Sequence, residues 1–209
     1  MMSPITLVEC PRDAMQGWQH FIPTQQKIDY LNQLLKVGFQ VLDCGSFVSP
    51  KAIPQLIDTA TVLSALDLSN TKTELLAIVA NIRGAEEAVK YPAIKYLGFP
   101  FSISETFQKR NTHKSIAASL EHVKVIQQLA KDNGKKLVIY ISMAFGNPYG
   151  DPYSPQLAID WVQQIVDLGI EVIAMSDTIG VANKEDIQNI FSSLLPAFPQ
   201  IEIGAHFHA

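Results

Sequence analysis

Short apolar runs alternate along the chain with longer segments in which apolar positions recur every three or four residues. The short runs predict buried strands, and the helical periodicity between them predicts amphipathic helices. Seven strands are predicted in this way, at residues 5–10, 41–44, 75–80, 94–99, 137–142, 172–177 and 202–209. The main predicted helices are residues 23–37, 53–66, 85–89, 115–131, 154–168 and 183–195.

Local signals at the helix ends support several of these assignments. Gly38 follows the first predicted helix, where a glycine commonly ends a helix in the left-handed conformation. Ser154 and Pro155 open the fifth, as a cap followed by proline at the first helical position.

Continuously apolar strands alternating with amphipathic helices predict right-handed βαβ units and a parallel sheet covered on both faces. Two architectures fit, a doubly wound open sheet and a TIM (β/α)8 barrel. Polar side chains follow nearly every predicted strand, which is typical of a barrel mouth. No Gly-x-Gly-x-x-Gly follows the first strand and no Walker-type lysine loop is present. The sequence therefore predicts an α/β fold of the TIM-barrel class.

The strand count differs from that of a complete barrel, which has eight strands in about 250 residues. Seven strands are predicted within these 209 residues. We therefore expect residues 1–209 to form a single TIM-barrel catalytic domain that stops after about the seventh strand, with its C-terminal part missing.

Composition narrows the functional classes. The net charge is −4, with 47% hydrophobic and 17% charged residues, which is ordinary for a soluble domain. Mild acidity with scattered lysines argues against a nucleic-acid partner. The sequence offers neither a membrane span nor a secretory signal. The two cysteines, Cys10 and Cys44, are interpreted as buried free thiols in a reducing cytoplasm.

The final predicted strand carries a candidate metal site. Residues two apart share one face of a strand, so His206 and His208 project to the same side. Asp13 follows the first strand, and two imidazoles with one carboxylate suit Mg²⁺, Mn²⁺ or Zn²⁺. Arg12 would add a fixed positive charge beside them. The alternatives are two polar residues at a frayed terminus and a surface turn with a local ion pair.

Several sequence blocks resemble the hydroxymethylglutaryl-CoA lyase family. Residues 8–16, V-E-C-P-R-D-A-M-Q, resemble the family's E-V-G-P-R-D-G-L-Q, and residues 43–51, D-C-G-S-F-V-S-P-K, resemble its E-x-T-S-F-V-S-P-K. Residues 205–208, A-H-F-H, are similar to its V-H-C-H. Further blocks at residues 104–111, 146–150 and 176–181 keep the family's order. The S-F-V-S-P-K block distinguishes the lyases from the related isopropylmalate and homocitrate synthases.

The resemblance implies a divalent-metal TIM barrel that cleaves 3-hydroxy-3-methylglutaryl-CoA to acetyl-CoA and acetoacetate, the chemistry of leucine degradation. It implies Mg²⁺ or Mn²⁺ as cofactor, an acyl-CoA substrate and a cytoplasmic homodimer, with no nucleic acid or membrane partner. The implied metal ligands are Asp13, His206 and His208. The implied catalytic residues are Arg12, Asp43 and Asp177, and the implied substrate contacts are Gln16, Ser46 and Ser142.

The sequence also departs from the family. Asp43 is one methylene shorter than the family's glutamate, and Gln19 stands where the family often has a lysine. The family's mobile-loop cysteine and its fourth, asparagine, metal ligand are expected beyond Ala209. Two other functions stay open on these grounds. One is a condensing or aldol enzyme that uses a 2-oxo acid, and the other is a degenerate, non-catalytic barrel.

Overall fold

The computed structural model describes residues 5–208, which form two compact units that divide between Leu97 and Gly98. Strands and helices alternate through both units, as the apolar pattern predicts. The strands are β1 (Val8–Glu9), β2 (Val41–Ser46), β3 (Glu74–Ile78), β4 (Ile94–Ser102), β5 (Lys136–Ser142), β6 (Val172–Asp177) and β7 (Glu202–Phe207). The α-helices are α1 (Pro11–Gln16), α2 (Thr24–Val37), α3 (Thr59–Ser64), α4 (Ile82–Ala88), α5 (Glu105–Thr112), α6 (Ile116–Asp132), α7 (Pro155–Val166) and α8 (Lys184–Ala197).

In the first unit, β1, β2 and β3 pair side by side in parallel. Every residue of β2 is buried, as expected for a parallel strand that is covered on both faces. The pairing of β2 with β3 shifts by one residue between Asp43 and Gly45, which forms a β-bulge. Helix α2 ends at Gly38 in the left-handed conformation, with φ of 86°, as the sequence predicts.

Two predictions in the first unit are corrected. The strand predicted at residues 5–10 is only Val8–Glu9, because Pro11 begins helix α1 rather than a loop. The helix predicted at residues 53–66 is instead a 3₁₀ turn, Pro54–Leu56, followed by α3. Within this region the Thr59 hydroxyl donates to the Leu56 carbonyl, a local bond that competes with helical backbone pairing.

A segment without regular structure, residues 17–23, is fastened to the rest of the first unit by the buried side chain of Gln55. Its amide nitrogen donates to the carbonyls of Trp18 (3.2 Å) and His20 (2.9 Å). Its amide oxygen accepts from the backbone N–H of Ile22 at 2.8 Å. The loop is therefore ordered by one side chain that satisfies three backbone groups.

In the second unit, β5, β6 and β7 pair side by side in parallel. Ser115 and Ser154 cap helices α6 and α7, because their hydroxyls accept backbone N–H groups of the first turn, and Pro155 is the first residue of α7, as predicted. Helix α5 was not predicted. No helix within residues 5–208 combines the length and apolarity that crossing a bilayer requires.

Candidate active site

Four of the predicted site residues of the first unit gather where β1 and β2 lead into the following segments. Arg12, Asp13 and Gln16 lie on helix α1, which begins two residues after β1 ends, and Asp43 lies within β2. Because β1 and β2 are parallel neighbours, α1 and the later part of β2 come together at the same edge. Local pairing thus unites residues that are about thirty positions apart in the sequence.

A buried ion pair joins Arg12 to Asp43. The guanidinium donates from Nε (2.9 Å) and Nη2 (2.6 Å) to the same carboxylate oxygen, Oδ2. The side chain of Arg12 is 9% exposed and that of Asp43 is fully buried. Charge-assisted bonds in such a dry setting are strong and directional. The main partner of Arg12 is therefore Asp43. Arg12 is buried rather than part of a surface turn, although the local ion pair with Asp13 is also present, at 3.0 Å.

A third nitrogen of Arg12, Nη1, contacts two other side chains of helix α1. Its Nη1 group donates to the carboxylate of Asp13 and to the amide oxygen of Gln16, both at 3.0 Å. The Gln16 amide nitrogen also donates to that Asp13 oxygen, at 2.8 Å. Asp13 is thus held in one orientation by a cation and an amide.

Ser46 is the last residue of β2. It is buried, and its backbone N–H donates to the Thr59 hydroxyl at 3.2 Å. Its own Oγ has no hydrogen-bond partner within residues 5–208. A buried hydroxyl left unsatisfied costs about 1–3 kcal/mol, so this position suits a polar ligand atom.

Both cysteines are free thiols that resist ionisation; Cys44 is buried as predicted, whereas Cys10 is only half-buried. Burial, followed by the negative charge of Asp43, raises the pKa of Cys10 to about 12. Burial also raises the pKa of Cys44, which lies within β2. A thiol is a nucleophile only as its thiolate, so neither cysteine is suited to nucleophilic chemistry near neutral pH.

In the second unit, Ser142 and Asp177 end neighbouring strands, β5 and β6, and both are buried. The carbonyl of Ser142 accepts the Ile103 N–H at 3.3 Å. Each carboxylate oxygen of Asp177 accepts one backbone N–H, from Val181 and from Ala182, both at 2.9 Å. The structure thus gives Asp177 a role in closing a turn. Its catalytic role stays a prediction.

His206 and His208, at the end of β7, turn their rings toward each other. The two Nε2 atoms lie 3.1 Å apart, and the His206 ring makes a T-shaped contact with Tyr140 of β5, with ring centroids 5.6 Å apart. The Nδ1 atom of His208 lies 3.1 Å from the carbonyl oxygen of Thr178. A carbonyl only accepts, so this contact requires a proton on His208 Nδ1.

The spacing of these nitrogens fits two ligands of one cation. Imidazole nitrogens bind Zn²⁺ at about 2.0–2.1 Å, so two adjacent ligands stand about 2.8–3.4 Å apart for bond angles between octahedral and tetrahedral. The observed 3.1 Å lies in this interval. The same distance also fits an N–H···N hydrogen bond between the two rings, and metal binding by His206 and His208 stays a prediction. Asp13 as a third ligand stays a prediction.

Two residues without a predicted role, Thr178 and Asp151, form contacts in loops near the strand ends. Thr178 follows β6 and contacts His208 through a backbone carbonyl, which has no sequence signature. Asp151 accepts bonds from the Ser104 hydroxyl (2.5 Å) and from the Thr106 N–H and hydroxyl (both 2.8 Å). These bonds, that from Ser104 first, lower the pKa of Asp151. The available sequence signal was Ser104, a helix-capping residue whose hydroxyl accepts the backbone N–H of Phe107 at the start of α5.

The chain matches one known protein family over nearly its whole length. The family described as HMGL-like matches residues 5–209.

The chain belongs to the HMGL-like family.

Individual relatives agree with this assignment and with the predicted resemblance. The hydroxymethylglutaryl-CoA lyase YngG of Bacillus subtilis is 33% identical over 95% of this chain. A crystal structure of the HMG-CoA lyase of Bacillus subtilis superposes with a TM-score of 0.91 at 32% identity, covering 97% of this chain and 68% of that one. An HMG-CoA lyase from Acinetobacter baumannii, in complex with coenzyme A and 3-methylmalate, gives a TM-score of 0.86 at 30% identity. It covers 94% of this HMGL-like chain and 64% of that one.

These likenesses confirm the predicted fold class, an α/β TIM barrel. The HMGL-like chain spans 66% of the length of the YngG relative and as little as 42% of the length of other curated lyases. The activity, substrates and partners of the whole protein are therefore treated below as proposals.

Proposed function

We propose that this protein is a metal-dependent carbon–carbon lyase that cleaves 3-hydroxy-3-methylglutaryl-CoA to acetyl-CoA and acetoacetate. The observation that carries the proposal is the pair of ring nitrogens 3.1 Å apart at the end of β7. It occurs in a chain whose relatives are named hydroxymethylglutaryl-CoA lyases over nearly its whole length. The pair favours an active enzyme over a degenerate barrel.

The proposed metal ligands are Asp13, His206 and His208, with Mg²⁺ or Mn²⁺ as the cation. The spacing of the two imidazole nitrogens supports this set, as does the fixed orientation of the Asp13 carboxylate. Carboxylate oxygens and neutral imidazoles suit such ions. A divalent cation bound there would act as a Lewis acid toward substrate oxygens.

Arg12 is proposed to offset the negative charge that develops as the acetyl-CoA enolate departs. Two of its nitrogens are committed to Asp43, so the guanidinium cannot reorient when the substrate charge changes. Such a preorganised cation stabilises a transition state without the cost of reorganisation. Asp43, shorter than the family's glutamate, acts in this proposal by holding Arg12.

The proposed substrate contacts are Gln16, Ser46 and Ser142. The buried, unpartnered hydroxyl of Ser46 supports a polar substrate atom at the end of β2. The Acinetobacter baumannii lyase with coenzyme A bound supports an acyl-CoA substrate. A place in leucine degradation, and a cytoplasmic homodimer, stay predictions.

The test is acetoacetate formation by the full-length protein with 3-hydroxy-3-methylglutaryl-CoA and Mn²⁺ or Mg²⁺. We expect acetoacetate from the wild type and a loss of about 10²–10³-fold in kcat for Arg12→Gln, since a preorganised charge is removed. Arg83→Gln, the same change at an exposed arginine of helix α4, serves as the matched control. Folded, metal-loaded wild-type protein that forms no acetoacetate would refute the proposal.

The same preparation addresses the rival condensing reaction. Acetyl-CoA is supplied with a 2-oxo acid, and release of free coenzyme A is followed by thiol titration. We expect no release above the background hydrolysis of acetyl-CoA. Release that depends on the 2-oxo acid would favour the condensing reaction over the lyase.

A further inference from the structure

The turn at the end of β6, residues 177–182, is closed by hydrogen bonds among its own residues. Both carboxylate oxygens of Asp177 accept backbone N–H groups at its far end, and the Asp177 carbonyl accepts the N–H of Gly180 at 3.3 Å. Gly180 has φ of 66°, a left-handed conformation that favours glycine. The turn is thus a defined backbone shape rather than a loose connection.

The turn is also fixed from the side by the end of β5. The hydroxyl of Thr178 accepts the backbone N–H of Met143 at 3.0 Å, and the Ser176 carbonyl accepts that of Ala144 at 3.2 Å. Met143 is buried and has φ of 61°, which is unusual for a residue other than glycine. Such a conformation persists only where the surroundings impose it. Thr178 is therefore held by two neighbouring strand ends.

The turn also contacts both the ring and the backbone of His208. The Thr178 carbonyl accepts the His208 Nδ1–H at 3.1 Å. A Cβ atom at position 180 would lie 3.2 Å from the carbonyl oxygen of His208, so the backbone of the turn packs closely on that of His208. Both the ring and the main chain of His208 are therefore positioned by the same rigid segment.

We propose that this turn is a template that fixes His208 as the Nδ1–H tautomer and directs the lone pair of its Nε2 toward His206 Nε2, 3.1 Å away. Thr178 and Gly180 are its positioning residues, and Asp177 acts through the turn it closes. The inference rests on the proposed function only in naming a divalent cation as the ligand of that lone pair. A partner on the second ring nitrogen fixes the orientation and raises the basicity of a ligating histidine.

The proposal explains the use of threonine at position 178. Without the Thr178 hydroxyl the Met143 N–H loses its acceptor, and the carbonyl that faces His208 loses its outside support. Thr178→Val keeps the shape of the side chain and removes that acceptor. Thr178→Ser restores the hydroxyl and is the rescue variant. Gly180→Ala independently adds the Cβ that crowds His208 and strains the left-handed backbone.

The test begins with ¹⁵N NMR of the histidine rings in the full-length, metal-free protein at pH 8. We expect a protonated Nδ1 and an unprotonated Nε2 for His208 in the wild type and in Thr178→Ser. We expect mixed tautomers in Thr178→Val and in Gly180→Ala. A wild-type His208 protonated on Nε2 would overturn the proposal, and so would a pure Nδ1–H tautomer in both variants. If either variant does not fold, the wild-type spectrum and the other variant still decide.

Mn²⁺ titration followed by electron paramagnetic resonance provides the second readout. Loss of an outer partner of a metal-binding histidine typically weakens affinity by about 10–100-fold, which we expect for Thr178→Val and Gly180→Ala, with recovery in Thr178→Ser. Unchanged affinity in both variants would overturn the template as a determinant of metal binding. A wild type with the expected tautomer that binds no Mn²⁺ would refute the proposed function, while the tautomer result would stand for the turn.

Discussion

The two groups of candidate site residues are held in opposite ways. Arg12 and Asp43 form a buried ion pair inside the first unit, whereas His206 is only half-buried and His208 is exposed at the end of β7. The first group depends on charges that must stay paired because they lie away from water. The histidine rings are positioned by the Thr178 carbonyl, which contacts His208, and by Tyr140, which contacts His206. Changes in the first group should therefore cost folding stability, and changes in the second should cost ligand affinity.

The largest effect is expected from Asp43→Asn, which removes the charge opposite the buried Arg12 with little change in size. Breaking a buried ion pair from one side costs about 3–5 kcal/mol, and we expect this loss in the free energy of unfolding measured with urea. Asp43→Glu keeps the charge but adds a methylene to a packed site, which costs about 1–3 kcal/mol. An Asp43→Asn protein as stable as the wild type would remove the basis of the comparison.

The second prediction tests how dry the first group is, through Cys10. Burial and the charge of Asp43 raise its pKa from 9.0 to about 12, so the native thiolate fraction is about a thousandfold lower. Iodoacetamide at pH 8.5 should therefore label Cys10 slowly in the folded protein and rapidly in the urea-unfolded chain, as mass spectrometry would show. Equal labelling rates in the two states would contradict this description.

The same shift has a pH dependence of defined sign. The unfolded chain releases the Cys10 proton near pH 9.0, whereas the folded protein keeps it until about pH 12. Stability is therefore present below pH 9 and falls as the pH rises through this interval. The Cys10→Ser variant lacks this contribution, so its stability should fall less steeply with pH than that of the wild type.

The third prediction concerns the histidines. His206→Ala should leave the free energy of unfolding within about 1 kcal/mol of the wild type, since the side chain is partly exposed. Mn²⁺ affinity should fall by at least about tenfold, because one of the proposed ligands is lost. His20→Ala, an exposed histidine of the first unit, is the control. A strongly destabilised His206→Ala protein would contradict the comparison, because the histidines would then contribute to folding stability as Arg12 and Asp43 do.

The smallest effect is expected from Gln16→Ala. This exposed side chain accepts one bond from Arg12 and donates one to Asp13. Its loss should cost no more than about 1 kcal/mol in urea unfolding, since the two bonds to Asp43 remain. A cost equal to that of Asp43→Asn would mean that helix α1, rather than the buried pair, holds Arg12.

Much of the fold follows from the sequence because long periodic segments with clear caps define α2, α6, α7 and α8. Helix α5 was missed because its eight residues, Glu105–Thr112, carry little apolar periodicity. Besides the Ser104 cap, side-chain contacts with residues outside the helix hold it. The Gln108 amide nitrogen donates to the Ser119 hydroxyl, and its amide oxygen accepts the Ser102 N–H. Tertiary contacts of this kind override weak local propensity.

The sequence also identified most residues of the candidate site but not how they are connected. Arg12 and Asp43 were both placed near strand ends, yet their pairing depends on the register of β1 with β2, which aligns Val8 with Val41. The role of Thr178 depends on a backbone carbonyl, and any residue type carries one. Side-chain chemistry can thus be predicted from residue type, whereas partners that arise from register or backbone require coordinates.

The attachment of residues 17–23 through Gln55 has a consequence for local opening. Because one amide holds the carbonyls of Trp18 and His20 and the N–H of Ile22, these three bonds share one point of attachment. Release of that single side chain frees all three groups together. Proteolytic cleavage within the segment should therefore require one cooperative excursion, and its rate should report the population of that open state.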